Sequence, residues 1–371
     1  MENKEFKPKV LVLAPFPNEQ NSNDGFIQRV SKMDRFMENY DRVYIQTSLK
    51  SFFKKSRIQY DESIVAYKIN LILHWPILLK YALNVKLIYA HTIFNLLWLK
   101  YFFKFIKAPI ILDVHGTVPE EIKMTGNISR AEKFDSIEKE CFNKIDTAIY
   151  VTDAMAVHFS NKYPGFNFNN IIYGIIPDHI DNKNKQIPLN ELSNLKTKLG
   201  IKEDDTVVIY SGGLHIWQNI DEMLTNIKAK VNDENIVYIF LVSDRDAMNK
   251  KIQSMDLKDK RIILDSVHSS ELKYYYSISH YGFVLRDDIV VNRVANPTKL
   301  IEYLFFGLTP IVKLVEIGDF NSYGYQYITS EDFINNKLSN NKSPHNEEVV
   351  EKIFSSYDDH EVSKLFEKIK R

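Results

Sequence analysis

Short apolar runs separated by amphipathic stretches fill the first half of the chain. Residues 10–15 form an unbroken apolar run closed by proline, the pattern of a parallel strand covered on both faces. After a polar loop, Asp24 stands where a helix N-cap belongs, and Ile27, Val30, Met33 and Met37 recur on one helical face. Further strands are predicted at 43–46, 64–69, 86–91, 109–114 and 147–152, with helical patterns between most of them. Strands alternating with helices predict a doubly wound parallel sheet. The polar, aperiodic stretch 177–188 reads as a linker. Beyond it the alternation resumes, with strands at 206–210, 236–242, 261–264, 282–285 and 309–312 and helices at 219–231 and 297–306. The charged end, 347–371, reads as helical. The expected fold class is α/β, two Rossmann-like doubly wound parallel-sheet domains, over 1–180 and 181–345, with a C-terminal helical segment at 346–371.

Composition narrows the chemistry. With 371 residues, 44% hydrophobic and 13% aromatic, the chain can bury two cores. Its 48 basic and 48 acidic residues cancel, which removes the basic footprint of a nucleic-acid binder. A single cysteine, Cys141, excludes a disulfide framework and a multi-thiolate zinc site, and suits a reducing, cytoplasmic setting. Residues 1–9 are polar, so no secretory signal is expected. The greasiest region, 94–112, carries Lys100, Lys104 and Lys107 and is no spanning helix. Its lysines recur every three or four positions, as on a crossover helix with one basic face or on a helix docked at anionic lipid. Lys50, Lys54, Lys55 and Arg57 would join that surface if they lie nearby.

In open α/β sheets ligands gather at the carboxyl ends of strands. The small-residue loop after the first strand, with Asn23, Asp24 and Gly25, runs into a helix start that suits an anion or a sugar hydroxyl; it lacks Gly-x-Gly-x-x-Gly. Asp113-Val114-His115-Gly116 ends the fifth predicted strand and can present an imidazole beside a glycine, followed by Glu120; His91 ends the strand before it. Tyr210-Ser211-Gly212-Gly213 permits close backbone approach to a phosphate, and Trp217 reads as a staple for the helix behind it. The densest segment holds Arg286, Arg293 and Asn296-Pro297-Thr298-Lys299-Leu300-Ile301-Glu302-Tyr303. There Asn296 is the natural N-cap, and Thr298, Lys299 and Glu302 share a face near the helix start. A lysine there opposes the helix dipole unless an anion such as a nucleotide pyrophosphate offsets it. Asp244-Arg245-Asp246 has the spacing of a metal-binding pair but reads as a capped helix start.

In order and content these segments resemble the GT-B nucleotide-sugar glycosyltransferases near family 4, of the bacterial polysaccharide and capsule biosynthesis type. The 296–304 segment with Gly307 is the most specific part of the likeness. The resemblance implies two domains facing across a cleft, with the acceptor on the N-terminal and the donor on the C-terminal side. It implies that Glu302 binds the ribose hydroxyls and that His115 touches the donor sugar. Two departures stand out. The partner glutamate would fall at Val294, and the family's arginine and lysine after the first C-domain strand fall at Gly213 and Gln218. Diphosphate neutralisation then passes to Arg286 and Lys299, with Arg293 a weaker candidate.

On that footing the expected catalytic residues are His115, Arg286 and Lys299. Donor binding falls to Gly212, Gly213, Arg286, Asn296, Thr298, Lys299 and Glu302, and the acceptor side to Asn23, Asp24, Gly25, His91 and Glu120. The implied activity is retaining, metal-independent hexosyl transfer from a nucleoside-diphosphate sugar to an acceptor hydroxyl in bacterial surface polysaccharide synthesis. No cofactor is expected. The implied partners are a nucleotide sugar, a glycan or lipid-linked glycan acceptor and an anionic membrane at the inner face of the cell, and no nucleic acid. The departures leave two alternatives, an inactive GT-B-like binding protein and a nucleotide-sugar epimerase.

Overall fold

A computed structural model describes residues 6–18, 25–174, 176–177, 180, 185–231, 234–367 and 369. The chain divides into two compact units, Met1–Ile175 with Tyr357–Arg371, and Ile176–Ser356. Both are α/β. The expected C-terminal segment is shared between them: helix Pro344–Ser356 belongs to the second unit, and helix Asp359–Glu367 returns to the first. The break falls at Asp358, whose carboxylate accepts the N–H groups of His360 and Glu361 and so starts a new helix.

The first unit holds β1 (Val10–Leu13), β2 (Arg42–Ser48), β3 (Ser56–Gln59), β4 (Ile64–Asn70), β5 (Leu87–His91), β6 (Ile110–Val114), β7 (Thr147–Tyr150) and β8 (Asn169–Ile172). They lie in the order β3-β4-β2-β1-β5-β6-β7-β8, parallel except for the β3–β4 pair. β1, β5, β6 and β7 are buried along their whole length, as continuous apolar runs require. Helix Gly25–Asp34 covers one face with Ile27, Val30 and Met33, and helix Asp359–Glu367 adds Val362, Leu365 and Phe366 to the same core. β3 and β8 were not expected from the pattern. β3 is an exposed edge strand, and β8 opens on two exposed asparagines, so neither carries an apolar run.

The second unit holds β9 (Thr206–Ser211), β10 (Ile236–Leu241), β11 (Arg261–Asp265), β12 (Tyr281–Val284), β13 (Thr309–Val312) and the two-residue β14 (Ile328–Thr329). Their order is β11-β10-β9-β12-β13-β14, all parallel. In both sheets the order reverses beside the first strand, between β1 and β5 and between β9 and β12. Those two switch points are where such sheets bind ligands.

The expected helix over 94–107 is instead a short helix, Ile93–Leu96, and a 3₁₀ turn, Leu99–Phe102. Ile93, Leu96 and Leu99 are the buried residues, and their spacing of three fits three residues per turn. Among the described residues no helix is long and apolar enough to cross a membrane. Half of the expected linker (178–179 and 181–184), and the expected cap Asp24, lie outside the described residues.

Candidate functional site

In the second unit Gly212 leaves β9 at φ +136°, a conformation L side chains rarely adopt. A Cβ there would stand 3.2 Å from Lys299 Nζ. Lys299 sits in the first turn of helix Thr298–Phe305. Its ammonium lies 3.8 Å from the centre of the Tyr210 ring and donates to Gln218 Oε1 at 3.1 Å. Arg286 follows β12, on the other side of the switch point. Burial, then repulsion from Arg286, pushes Lys299 well below the ordinary lysine range, against the opposing pull of Glu302. Burial lowers Arg286 as well. Among the described residues neither cation has a carboxylate within ion-pair distance. Two desolvated cations repelling each other over a glycine turn at a helix start are complementary to a dianion.

The next residues of the same helix are pinned to β9 and β12. Glu302 is buried, and its Oε2 accepts from the Tyr276 hydroxyl at 2.8 Å. That hydroxyl lies 2.7 Å from Ser211 Oγ, the last side chain of β9. Tyr303 accepts the Ser211 N–H at 3.1 Å, and its ring fills the space where Gly282 lacks a Cβ. Lys299, Glu302 and Tyr303 therefore hold the Gly212 turn from below. Glu302 presents its carboxylate one helical turn from the cations.

In the first unit the β5–β6 register places His91 opposite Asp113. Arg29, from helix Gly25–Asp34, is wholly buried against Asp113, with Nη2 to Oδ1 at 2.9 Å and Nε to Oδ2 at 3.0 Å. Its Nη1 donates to the Tyr173 and Gly174 carbonyls at 2.7 and 3.0 Å. Tyr89 donates to Asp113 Oδ2 at 3.0 Å. Burial alone would raise the Asp113 carboxyl; Arg29 and the two histidines overcome it and hold the group well below the usual range.

His91 Nδ1 lies 3.2 Å from Asp113 Oδ2 and 3.0 Å from His115 Nε2. Burial pushes His91 down to about 4 despite Asp113, so its ring is neutral at pH 7. His91 Nε2 is buried without a hydrogen-bond partner. Orphaned buried N–H groups are the rarer kind of defect, which places the His91 proton on Nδ1. His115 Nε2 faces this buried pair, 3.0 Å from His91 Nδ1 and 3.4 Å from Asp113 Oδ2.

His115 lines a cavity of about 550 Å³ with Phe26, Thr92, Asn95, Gly116 and Glu121. Thr92 holds φ 63° and ψ 158°, a region that costs a β-branched residue about 1–3 kcal/mol and concentrates at ligand sites. Glu121 folds its carboxyl over Gly116, in the space a Cβ would take; desolvation of that carboxyl raises its pKa, although the residue as a whole is exposed. Among the described residues, His91, Asp113 and His115 are the one group whose ligand atoms, all within 4.8 Å of one another, could hold a metal ion. Arg29 engages both carboxylate oxygens and the two imidazoles lie within hydrogen-bond distance of each other, so the cluster is already tied together by its own hydrogen bonds.

Several expected site residues take other places. Gly25 lines the His115 cavity, whereas Asn23 and Asp24 lie outside the described residues. His91 is buried beneath His115 and reaches a ligand only through it. Glu120 turns away from the cavity. His158 Nε2 at 3.5 Å and the Lys162 ammonium, which donates at 2.9 Å, overcome its burial and hold it at about 2, and the next residue along the helix, Glu121, takes the expected place. Arg293 is exposed and paired with Asp288 at 2.5 and 2.8 Å, which spends its charge. Pro297, not Asn296, precedes the helix, leaving Thr298 as its first residue. Gly213 lies under the His215 ring. Trp217 stacks on that ring at 4.6 Å and stays partly exposed rather than stapling the helix. Asp244 does cap its helix, accepting the Ala247 N–H at 2.9 Å. Arg29, Thr92, Tyr210 and Tyr276 were not expected. The signal for Arg29 was a charge set between the apolar Ile27 and Val30.

No protein-family model and no curated protein sequence matches the chain. Solved structures do. An E. coli trehalose-6-phosphate protein bound with UDP-2-fluoro glucose aligns over 98% of this chain and 99% of its own, with TM-score 0.63 and 13% identity. The α,α-trehalose-phosphate synthase (UDP-forming) of Burkholderia vietnamiensis aligns over 98% and 99%, with TM-score 0.63 and 12% identity. Anabaena HepE in complex with UDP and glucose aligns over 96% and 91%, with TM-score 0.61 and 11% identity. The likeness spans both α/β units, and the chain has the GT-B fold that these glycosyltransferases share.

Proposed function

We propose that the chain is a sugar transferase that takes a hexose from a nucleoside-diphosphate donor and passes it to an acceptor hydroxyl. The carrying observation is the pair of uncompensated cations, Lys299 and Arg286, over the Gly212 turn. Structural neighbours with bound UDP, UDP-2-fluoro glucose and glucose support a uridine nucleotide and a glucose-like sugar. Glu302 accepts hydrogen bonds from the ribose hydroxyls, held for that purpose by Tyr276. As the bond from the anomeric carbon to the diphosphate breaks, negative charge grows on the leaving phosphate. Lys299, Arg286 and the start of helix Thr298–Phe305 stabilise it without a metal ion. His115 is assigned to a hydroxyl of the transferred sugar and Glu121 to the acceptor, both as residues that line the same cavity.

Retention of configuration is part of the proposal; a neighbouring trehalose-6-phosphate synthase structure is described as a study of transfer with retention. So is a glycan or lipid-linked glycan acceptor of bacterial surface polysaccharide synthesis, met in the cytoplasm at the inner face of the membrane. The test is thermal shift with UDP, GDP and ADP, followed by nucleotide release from a panel of their sugars with EDTA present. One nucleotide should raise Tm in the native protein and fail to do so in Lys299→Ala and Arg286→Ala. Absence of any nucleotide effect refutes the proposal. Binding without turnover indicates an inactive homologue, and acceptor-free release of an epimerised sugar indicates an epimerase.

A further inference from the structure

Between Leu49 and Ile110 the chain carries ten Lys and Arg against Asp61 and Glu62 alone, although its charges cancel overall. The same stretch bears large apolar side chains turned to solvent: Phe53, Ile72, Leu73, Tyr101 and Phe105 are each 57% to 66% exposed. Three segments supply them, and each leaves the carboxyl end of its strand: the loop after β2, the helix Leu71–Asn84 after β4, and the turns after β5. The fold draws them together. Asn70 caps the helix by accepting from Ile72 N and Leu73 N, and its amide donates to the Leu49 and Ser51 carbonyls at 3.1 and 3.0 Å. This fixes the Lys50, Lys54 and Lys55 loop beside Ile72 and Leu73. Trp75 stacks on Phe102 with ring centres 5.8 Å apart and 9° between planes, which joins the helix to the post-β5 turns. Leu71, Trp75, Leu78, Trp98 and Phe102 line an apolar groove of about 340 Å³ between them. Lys100 is paired with Glu140, but Lys104 and Lys107 are exposed and unpaired among the described residues.

We infer that this surface docks on an anionic lipid bilayer. Exposed aromatic and aliphatic side chains enter the headgroup boundary, and lysines on both flanks meet anionic headgroups, the division of labour of an interfacial anchor. Charge complementarity selects the bilayer over a neutral apolar partner. The His115 cavity opens at the same carboxyl end of the same sheet, lined by Thr92, Phe94 and Asn95 of the post-β5 turns. Docking therefore brings that cavity to the height at which a lipid-linked acceptor presents its sugar. The docking itself stands without the transferase reading, because its test needs no nucleotide or turnover.

The test is flotation of the full chain with vesicles of phosphatidylcholine alone and with about one third phosphatidylglycerol, at low and high salt. Binding is expected to the anionic vesicles at low salt and to fall steeply with salt or without the anionic lipid. Lys54→Gln/Lys55→Gln and Lys104→Gln/Lys107→Gln should each weaken it roughly 25-fold, about fivefold for each lysine. Ile72→Ser and Phe105→Ser, both at exposed positions, should weaken it further while leaving Tm unchanged. Absence of binding to anionic vesicles at low salt overturns the inference. So does binding that both lysine pairs leave unchanged, or a dimer in solution that Phe105→Ser dissociates while vesicles are ignored, since a second copy then covers the face.

Discussion

Lys299 should take up a proton when the nucleotide binds. In the free protein its ammonium is desolvated and repelled by Arg286, which lowers its pKa well below that of a free lysine. A bound diphosphate adds two or more negative charges beside it and returns the pKa toward its ordinary value. Between those two values the complex holds more protons than its parts. Affinity must then fall with rising pH, by up to tenfold for each unit above the free-state pKa. Titration calorimetry of UDP at pH 8 to 9.5, in buffers of different ionisation enthalpy, reads the uptake directly. The diphosphate of UDP is fully ionised there, since phosphate second pKa values lie near 6, and the Lys299→Met control separates the lysine from the uracil N–H, which titrates toward the top of that range. Between zero and one proton should enter per site, and the number should vanish in Lys299→Met. That variant loses a charge-assisted hydrogen bond worth about 1.5–3 kcal/mol, a roughly 10- to 150-fold weaker complex. Tight UDP binding with no proton uptake at any pH in that range would refute the reasoning, because the lysine would be fully charged before the ligand arrived.

Four further outcomes are expected. Glu302→Gln should weaken uridine as well as UDP if the carboxylate takes the ribose role proposed for it; a loss confined to the sugar-bearing donor would sink that role. His115→Ala should lower kcat more than it raises KM; equal losses in both would point to a structural role. His280 accepts the Val207 N–H at Nδ1 (2.9 Å), and burial pushes it down to about 4. From pH 6.5 down to 4 the unfolded chain therefore binds a proton that the folded chain refuses, and stability falls on acidification by no more than about 3 kcal/mol; denaturant melts of His280→Asn should show that much less acid loss. Gln218→Lys should weaken the fold by setting two ammonium groups about one hydrogen-bond length apart, whereas Gln218→Lys with Lys299→Gln should regain nucleotide binding that Lys299→Gln alone loses; no recovery in the double variant would show that the position of the cation, and not its presence, matters.

The strands and the switch-point loops were legible because buried parallel strands have nowhere to hide their apolar runs. β1, β5, β6, β7, β9, β10 and β12 fall within a few residues of the predicted spans. What escaped prediction was whatever depends on a partner far away in the chain. Glu120 and Glu121 are indistinguishable in sequence; only the approach of Lys162 and His158, from the helix Asp153–Lys162, decides which of them faces the cavity. The role of Arg29 rests on Asp113, 84 residues later, which comes to lie against it in the fold. The motif Asn296–Tyr303 was readable as a site because its chemistry is local, yet its cap moved by one residue to Pro297.

The departures at Gly213 and Gln218 look like losses in a sequence, and on the proposed function they are a relocation. A diphosphate needs its charge met at the carboxyl end of β9, but it does not matter to the phosphate which element delivers the cations. Here Lys299 arrives from helix Thr298–Phe305 and Arg286 from the end of β12. Gln218, standing where the resemblance expects lysine, instead accepts the Lys299 ammonium at 3.1 Å and steadies it. A lysine at 218 would repel that ammonium, so the neutral residue there follows from the cation at 299. The same constraint accounts for Gly212 and Gly213 in place of bulkier residues. The first leaves room for Lys299 Nζ, and the second for the His215 ring. The Gly212 N–H is given to the Leu241 carbonyl at 2.9 Å, so what this turn offers the proposed anionic ligand is above all the positive charge of the two cations beside it.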